Sequence, residues 1–235
     1  MKTKTARPAS RSSLTETAYR AIKAEIVANR LHPGEPVEID RFEQALGLSR
    51  TPVREAVLRL QREGFVEVRP RMGTFVSQLD LRQIQEMYQL RRTLEGLAAR
   101  QAADFADPKR LAALERELRA CGSGSDAGLK GISEAGEKLH ELIVESCENR
   151  LLAEMIRSLH DHFARFRSLS LRIPEKVLSS HQEHLAILGA LKRGDGDAAE
   201  KLVYRHFDHA ARFLLDSILA RPNRAAGTRV MIGLE

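Results

Sequence analysis

Residues 46–68, LGLSRTPVREAVLRLQREGFVEV, place many hydrogen-bond donors at the start of an amphipathic helix. A helix N-terminus offers unpaired backbone N–H groups and partial positive charge, which together favour a bound phosphate. Ser49 and Thr51 add hydroxyl donors, and the guanidinium groups of Arg50 and Arg54 can reach phosphate or the O6/N7 edge of guanine. The pattern predicts nucleic-acid binding. A capped surface helix with ordinary arginines is the alternative.

Three helices and a hairpin are predicted to position these donors. The first helix has a capping-box pattern at Ser13 and Glu16, and the second ends at Gly47. The third contains the donors and has a stripe that we expect to be buried, formed by Val53, Ala56, Val57 and Leu60. Alternating apolar and polar residues over 65–76, FVEVRPRMGTFV, predict a short hairpin. This order of elements is that of a winged helix-turn-helix.

Positive charge is concentrated in the same third of the chain. Residues 1–79 hold 14 Lys and Arg against 9 Asp and Glu, whereas residues 80–235 hold 24 against 23. Such a field attracts a polyanion such as nucleic acid, although a solvated basic surface would have the same composition. Residues 1–12, MKTKTARPASRS, are followed by no apolar stretch of a signal peptide, so we expect a flexible basic arm.

From Leu81 onward only helical periodicity remains, which predicts an all-helical bundle. The fold class expected is therefore mainly α, with a winged helix-turn-helix at 13–78, a helical domain at 79–222 and a tail at 223–235. The first long helix of the bundle has an apolar stripe that we expect to be buried, formed by Ile84, Met87, Tyr88, Leu90, Leu94, Leu97 and Ala98.

The remaining composition bears on location. Cys121 and Cys147 form no CxxC pair and have no metal-site spacing, which suits a reducing compartment. The sequence contains no apolar run of about 18 residues, so no membrane span is predicted. We therefore expect a cytoplasmic protein without a membrane partner.

The stretch PGEPVEIDRFEQALGLSRTPVREAVLRLQREGFVEVRPRMGTFV, residues 33–76, resembles the DNA-binding domain of GntR-type bacterial transcription regulators. The resemblance implies a double-stranded DNA operator as partner. It also implies that DNA is contacted by the start of the third helix and by the tip of the wing, through Ser49, Arg50, Thr51, Arg54, Arg71 and Gly73. Asp40 departs from the pattern, because some relatives carry a DNA-contacting arginine at that position.

The helical half resembles the FCD ligand-sensing domain of the FadR subfamily. The matching segments are RRTLEGLAARQAA at 91–103, LHELIVESCENRLL at 139–152 and EHLAILGALKRGD at 183–195. The resemblance implies a small organic-acid effector whose carboxylate is anchored by Arg91. It further implies an effector pocket that includes Asn149 and a divalent metal ion, such as zinc, nickel or iron, held by His140, His184 and His206.

By their spacing alone, the three histidines are no metal motif, because they lie 44 and 22 residues apart and each could be a packed or surface histidine. The aspartate ligand that the resemblance implies falls on Gly136, with Glu134 and Glu137 nearby. Loss of this carboxylate should weaken metal binding or leave a position for an oxygen of the effector.

Other assignments have structural alternatives. Arg91 has an ion-pair partner four residues away in Glu95, and Asn149 also fits a helix cap. His181 and His209 lie three residues from two of the proposed ligands and could support them or be solvated.

An enzyme and an architectural protein are the competing functions. His160-Asp161 resembles the metal-binding dipeptide of helical phosphohydrolases, which would make the helical domain a metal-dependent phosphohydrolase joined to a DNA-binding module. An architectural protein would leave the histidines and Arg91 without a purpose. The favoured interpretation is a non-enzymatic, effector-responsive regulator, a repressor that binds a short palindrome as a homodimer.

Overall fold

The computed structural model describes residues 11–78, 80–121, 125–170 and 174–219. The chain divides into two compact units at residues 79 and 80. A helical and hairpin unit comes first and an all-helical unit follows, so the predicted fold class is confirmed. Apart from residues 11 and 12, the predicted basic arm lies outside the described residues, as does the tail at 223–235.

The first unit contains α1 (Arg11–Val27), α2 (Ile39–Leu46), α3 (Arg50–Arg62), β1 (Val66–Arg69) and β2 (Gly73–Val76). α1 packs against α3, and the fully buried side chains of this unit are supplied mainly by these two helices: Ala18, Ile22, Ile26, Val53, Ala56 and Leu60. The predicted stripe of α3 is thus confirmed. The capping box at Ser13 is wrong, since the helix has already begun at Arg11 and the Ser13 carbonyl accepts a bond from the Thr17 hydroxyl inside it.

The wing is a two-stranded antiparallel hairpin in which Val66 pairs with Val76 and Arg69 with Gly73. Its tip uses left-handed backbone, at φ 64° for Arg71 and 117° for Gly73. Such angles are unfavourable for most side chains but not for glycine. An isolated bridge from Pro36 to Phe75 joins the segment before α2 to the hairpin, so the wing is fixed beside the helices.

The second unit contains α4 (Leu81–Phe105), α5 (Pro108–Ala120), α6 (Asp126–Glu145), α7 (Arg150–Ser170), α8 (Pro174–Lys192) and α9 (Gly196–Leu219). α9 packs along α4, and the two helices are close at Gly96, where a Cβ atom would lie 2.1 Å from Tyr204 Cε1. No helix in the described ranges is both long and apolar enough to cross a bilayer.

The buried face of α4 differs from the predicted stripe. Leu90 is 39% exposed and Leu97 is 40% exposed, whereas the charged residues Arg91 and Glu95 are buried. Ile84, Tyr88, Arg91 and Glu95 follow one another at helical spacing on the inner face. Burial of two opposite charges is tolerated because they pair with each other, which an apolar-stripe argument does not anticipate.

Candidate functional site

The start of α3 presents the donors that the sequence predicts. Ser49 stands at the N-cap position, but its hydroxyl makes no capping bond, and Ser49 and Thr51 are both exposed. A groove of about 750 Å³ runs between α3 and the hairpin. Arg50, Arg54, Arg71 and Gly73 all line this groove, whereas Ser49 and Thr51 lie outside it.

Arg50 and Arg54 have different surroundings in this groove. Arg50 Nη1 lies 3.2 Å from Asp40 Oδ1, and Arg50 Nε lies 4.0 Å from Glu43 Oε1. Arg54, one turn further along α3, is exposed and has no ion-pair or hydrogen-bond partner among the described residues. The first arginine is therefore paired with carboxylates of α2, and the second is free to reach a ligand.

The second unit brings His140 of α6, His184 of α8 and His206 of α9 together in its interior. The ring centroids are 4.7 to 5.4 Å apart, and each histidine is at most 7% exposed. Their ligand atoms lie within 4.8 Å of one another. Nitrogen ligands of tetrahedral zinc are roughly 3.4 Å apart, so a metal ion would draw the rings slightly closer.

Carboxylates orient two of the three imidazoles. His140 Nδ1 lies 2.6 Å from Glu95 Oε2, and His206 Nδ1 lies 2.7 Å from Glu183 Oε2. An ionised carboxylate can only accept, so each Nδ1 carries the proton and each Nε2 keeps its lone pair in the neutral ring. Metal-binding histidines usually donate their other ring N–H to a carboxylate in this way.

His184 has no such partner. Both of its ring nitrogens are buried without a hydrogen-bond partner among the described residues. Burial lowers the pKa of His184 well below its usual value, and the nearby His206 and His140 act in the same direction. Burial also lowers the pKa of His206 to about 4, although the bond to Glu183 opposes this shift. A neutral imidazole with buried, unsatisfied nitrogen atoms, as in His184, is a suitable ligand for a cation.

Gly136 of α6 makes room for His184. A Cβ atom at position 136 would lie 2.4 Å from His184 Cε1 and 2.7 Å from its Nδ1. The imidazole therefore occupies the space that a side chain at this position would need. Neither Glu134 nor Glu137 joins the histidine cluster among the described residues, so the structure shows no carboxylate in place of the missing aspartate.

Arg91 pairs with Glu95, and its guanidinium lies between two aromatic rings. Arg91 Nε is 2.5 Å from Glu95 Oε1, and Cζ lies 4.8 Å from the Phe163 ring centroid and 4.7 Å from that of Phe207. Burial alone would raise the pKa of Glu95, but Arg91 and His140 outweigh it and lower the pKa to about 2. The ion-pair alternative for Arg91 is thus what the structure shows.

Two cavities meet the histidine cluster. One, of about 380 Å³, lies between α4, α6 and α7, and its wall includes Arg91, Glu95, His140 and Phe163. The other, of about 60 Å³, has Arg91 and all three histidines in its wall. Arg91 therefore retains access to both cavities while it is paired with Glu95. A small anion in either cavity would therefore lie beside Arg91.

The other candidate residues lie further out. Asn149 is exposed at the start of α7, where its Oδ1 accepts a bond from the Leu152 N–H, so the helix-cap alternative is confirmed. His209 is exposed and contacts the other oxygen of Glu183, while His181 Nδ1 is buried without a bond in the part of the chain described. His160 and Asp161 line the larger cavity but are not part of the histidine cluster.

Two carboxylates of the candidate site could not be identified from the sequence. Glu95 was expected only as the partner of Arg91, yet it also contacts His140, 45 residues away. Glu183 contacts His206 on a different helix, 23 residues away. No local pattern marks either contact, because both depend on how the helices pack.

Comparisons with known proteins agree with the two units. The family described as "Bacterial regulatory proteins, gntR family" matches residues 14–76, and the FCD domain matches residues 86–209. The chain is 29% identical over 200 residues to the uncharacterized HTH-type transcriptional regulator YdhC of Bacillus subtilis (strain 168), which covers 83% of this chain and 88% of YdhC. It is 27% identical over 197 residues to the HTH-type transcriptional repressor RspR of Escherichia coli (strain K12), with 82% and 85% covered.

The fold is shared with a solved structure of E. coli McbR/YncC, at a TM-score of 0.71 and 23% identity over 87% of this chain and 98% of that one. The families and the named relatives are transcriptional regulators rather than enzymes, so the phosphohydrolase alternative is wrong. The chain belongs to the gntR family of bacterial regulatory proteins, and it is a transcriptional regulator with a DNA-binding winged helix and an FCD domain.

Proposed function

We propose that this regulator is a cytoplasmic repressor of the FadR subfamily that binds a short palindromic operator as a homodimer and responds to a small organic acid. Its DNA-binding domain is placed at 13–78 and its effector-binding and dimerisation domain at 79–222. A single winged helix contacts too few base pairs for genomic specificity, and a two-fold axis supplies the second half-site. The relative RspR is named a repressor, which supports repression rather than activation.

The DNA-binding surface is the groove between α3 and the hairpin. Arg50 and Arg54 project from the start of α3, and Arg71 and Gly73 form the tip of the wing beside them. Ser49 and Thr51 are exposed at the same end of α3, where their hydroxyls can donate to phosphate. We assign base-edge contacts to α3 and minor-groove contacts to the wing.

Replacing Arg50 or Arg54 by alanine should weaken binding to a selected operator duplex by about 1 to 3 kcal/mol. The fold should be retained, since both side chains are exposed. Electrophoretic mobility shifts measure the change, with Arg62→Ala as the control, because Arg62 is exposed on the last turn of α3 outside the groove. Unchanged affinity in both groove variants would place the DNA contacts elsewhere.

The effector site is assigned to the two cavities at the histidine cluster. The observation that carries this proposal is the buried His184, whose ring nitrogens have no partner in the described chain, next to two histidines whose Nδ1 atoms are held by carboxylates. His140, His184 and His206 would hold a divalent ion, which would supply positive charge for an effector carboxylate. Arg91 would bind the effector with the N–H groups that Glu95 leaves available.

Effector binding would shift the population of the two-domain dimer between DNA-binding and released forms. The extent of the shift is limited by the difference in effector affinity between these forms. Residues on α4, α6 and α7 line the larger cavity, so its occupant would contact three helices at once.

A thermal-shift screen of small organic acids, with zinc, nickel or ferrous iron and with chelator, tests the effector site. An acid that binds the folded state should raise the midpoint, and it should do so more strongly with metal present. His184→Ala should lose the metal-dependent part of the shift, whereas His32→Ala, in the other unit, should keep it. If the wild type bound no metal even with saturating acid, and His184→Ala responded normally, the histidines would be packing residues or direct effector donors.

A further inference from the structure

Acidic side chains border the groove that is assigned to DNA. Asp40 is in the first turn of α2, and its carboxylate lies in the wall of this groove together with Arg50 and Arg54. A carboxylate facing a phosphate backbone weakens binding to every DNA sequence, because like charges repel. The position of Asp40 in this groove is explained only if its carboxylate acts on a neighbouring side chain.

That neighbour is Arg50. Asp40 Oδ1 lies 3.2 Å from Arg50 Nη1, and Glu43, three residues further along α2, lies on the Nε side of the same guanidinium. Glu43 Oε1 is buried and has no hydrogen-bond partner among the described residues, at 4.0 Å from Arg50 Nε. Two carboxylates on one helix therefore lie on two sides of the Arg50 guanidinium.

Arg54 provides the contrast within the same groove. It lacks any hydrogen-bond or ion-pair partner in the described part of the chain, so no such contact fixes its guanidinium. A flexible cation suits a phosphate contact, which tolerates many geometries, whereas reading of a base edge requires a fixed orientation of the guanidinium plane.

We propose that Asp40 is a specificity-determining residue of this regulator, acting as a positioning residue that holds Arg50 in the orientation needed to read one guanine. The inference rests on the DNA-binding surface proposed above. Arginine has five N–H donors, and an ion pair with Asp40 at Nη1 leaves enough of them for the bidentate contact with guanine O6 and N7. Holding the side chain before binding reduces the rotamer entropy lost in the complex.

The exposed pair contributes little to folding in the free protein, since Asp40 is 69% exposed and Arg50 is 56% exposed. DNA would cover the pair and remove water from it, which strengthens the attraction between the two charges. The contribution of Asp40 would therefore be to base discrimination rather than to stability. Simple repulsion of phosphate, the competing explanation, would change affinity for all sequences equally.

The test begins with selection of duplexes from a random-sequence DNA pool by the full-length wild-type protein. Affinities are then measured for the selected duplex and for a set in which each base pair of one half-site is replaced in turn. The variants are Asp40→Ala, Arg50→Ala, the double variant, and Glu38→Ala as the charge-matched control. Glu38 lines the same groove but has no ion pair with Arg50.

Asp40→Ala should lower discrimination at one guanine-containing base pair by about five- to twentyfold, while leaving discrimination elsewhere unchanged. Arg50→Ala should lose discrimination at the same base pair. In the Arg50→Ala background, Asp40→Ala should have no further effect there, because its action passes through Arg50. Glu38→Ala should raise affinity for all duplexes alike and keep the base preference.

Three outcomes would overturn the proposal. Asp40→Ala could change the affinity for all duplexes equally, as Glu38→Ala does, or it could leave binding unchanged. The third is an effect of Asp40→Ala that persists in the Arg50→Ala background. Failure of the DNA-binding surface itself is a different result. In that case Arg50→Ala and Arg54→Ala would both bind the selected duplex as the wild type does.

Discussion

Replacing Glu95 by alanine should lower the free energy of unfolding of the helical unit by about 3 to 5 kcal/mol, since one partner of a buried ion pair is removed. Glu95 is 1% exposed and contacts both Arg91 and His140. Its loss leaves the Arg91 guanidinium buried without a counter-charge and removes the acceptor that orients His140. Urea unfolding followed by circular dichroism measures the change.

A matched control is available on the same helix. Arg82 and Glu86 have the same four-residue spacing on α4, but their side chains are 84% and 60% exposed. Glu86→Ala should change the free energy of unfolding by no more than about 0.5 kcal/mol. Equal effects of the two substitutions would show that burial of the Arg91–Glu95 pair has no energetic consequence.

The stabilisation from Glu95 should depend on pH. Its pKa is lowered to about 2 in the folded protein, compared with a normal value of 4.5, so the carboxylate favours folding at any pH above about 4.5. The stabilisation, about 3 kcal/mol for a shift of this size, is lost as the pH falls from about 4.5 towards 2. The Glu95→Ala variant should show a correspondingly weaker loss of stability over this interval.

Gly136→Asp should raise the affinity for a divalent metal ion by about 100-fold or more, since loss of even an outer carboxylate partner of a ligand typically costs 10- to 100-fold. The new carboxylate would add a negatively charged oxygen ligand to the imidazoles of His140 and His206 and to that of His184, whose ring must shift to make room. Metal affinity should also depend less on the organic acid, because fewer coordination positions remain for it. Calorimetric titration with zinc, with and without the acid, measures both effects.

Gly136→Ala separates the added ligand from the added bulk. Either side chain needs the space now occupied by His184, since a Cβ atom would lie 2.4 Å from its Cε1. Alanine should move the His184 ring without supplying a new metal ligand. The cost in stability should be about 1 to 3 kcal/mol, which the better helix propensity of alanine only partly offsets. If the aspartate variant bound metal no more tightly than the alanine variant, the carboxylate would not be a ligand.

Local patterns in the sequence were sufficient to predict the winged helix. The left-handed Gly47 after α2, the buried stripe of α3 and the antiparallel pairing at 66–76 all follow from short-range rules of capping and periodicity. The error at Ser13 arose because a capping-box pattern also fits inside a longer helix.

The helical unit was less predictable, since its interior depends on pairing between helices. Leu90 and Leu97 appeared apolar enough to be buried, but the inner face of α4 carries Arg91 and Glu95 instead. The three histidines were identified through resemblance, and the structure places them together. The contact of Glu183 with His206 could not be inferred, because no spacing rule relates residues on different helices.

The position of Arg91 constrains how this domain can change during evolution. Its guanidinium lies between Phe163 of α7 and Phe207 of α9 while its own backbone belongs to α4, so one side chain connects three helices. Substitution there would disturb helix packing as well as ligand chemistry. Glu141 is exposed in the wall of the larger cavity and does not connect helices in this way. Under the proposed effector function, a change of effector should therefore come through exposed wall residues such as Glu141, while Arg91 is retained.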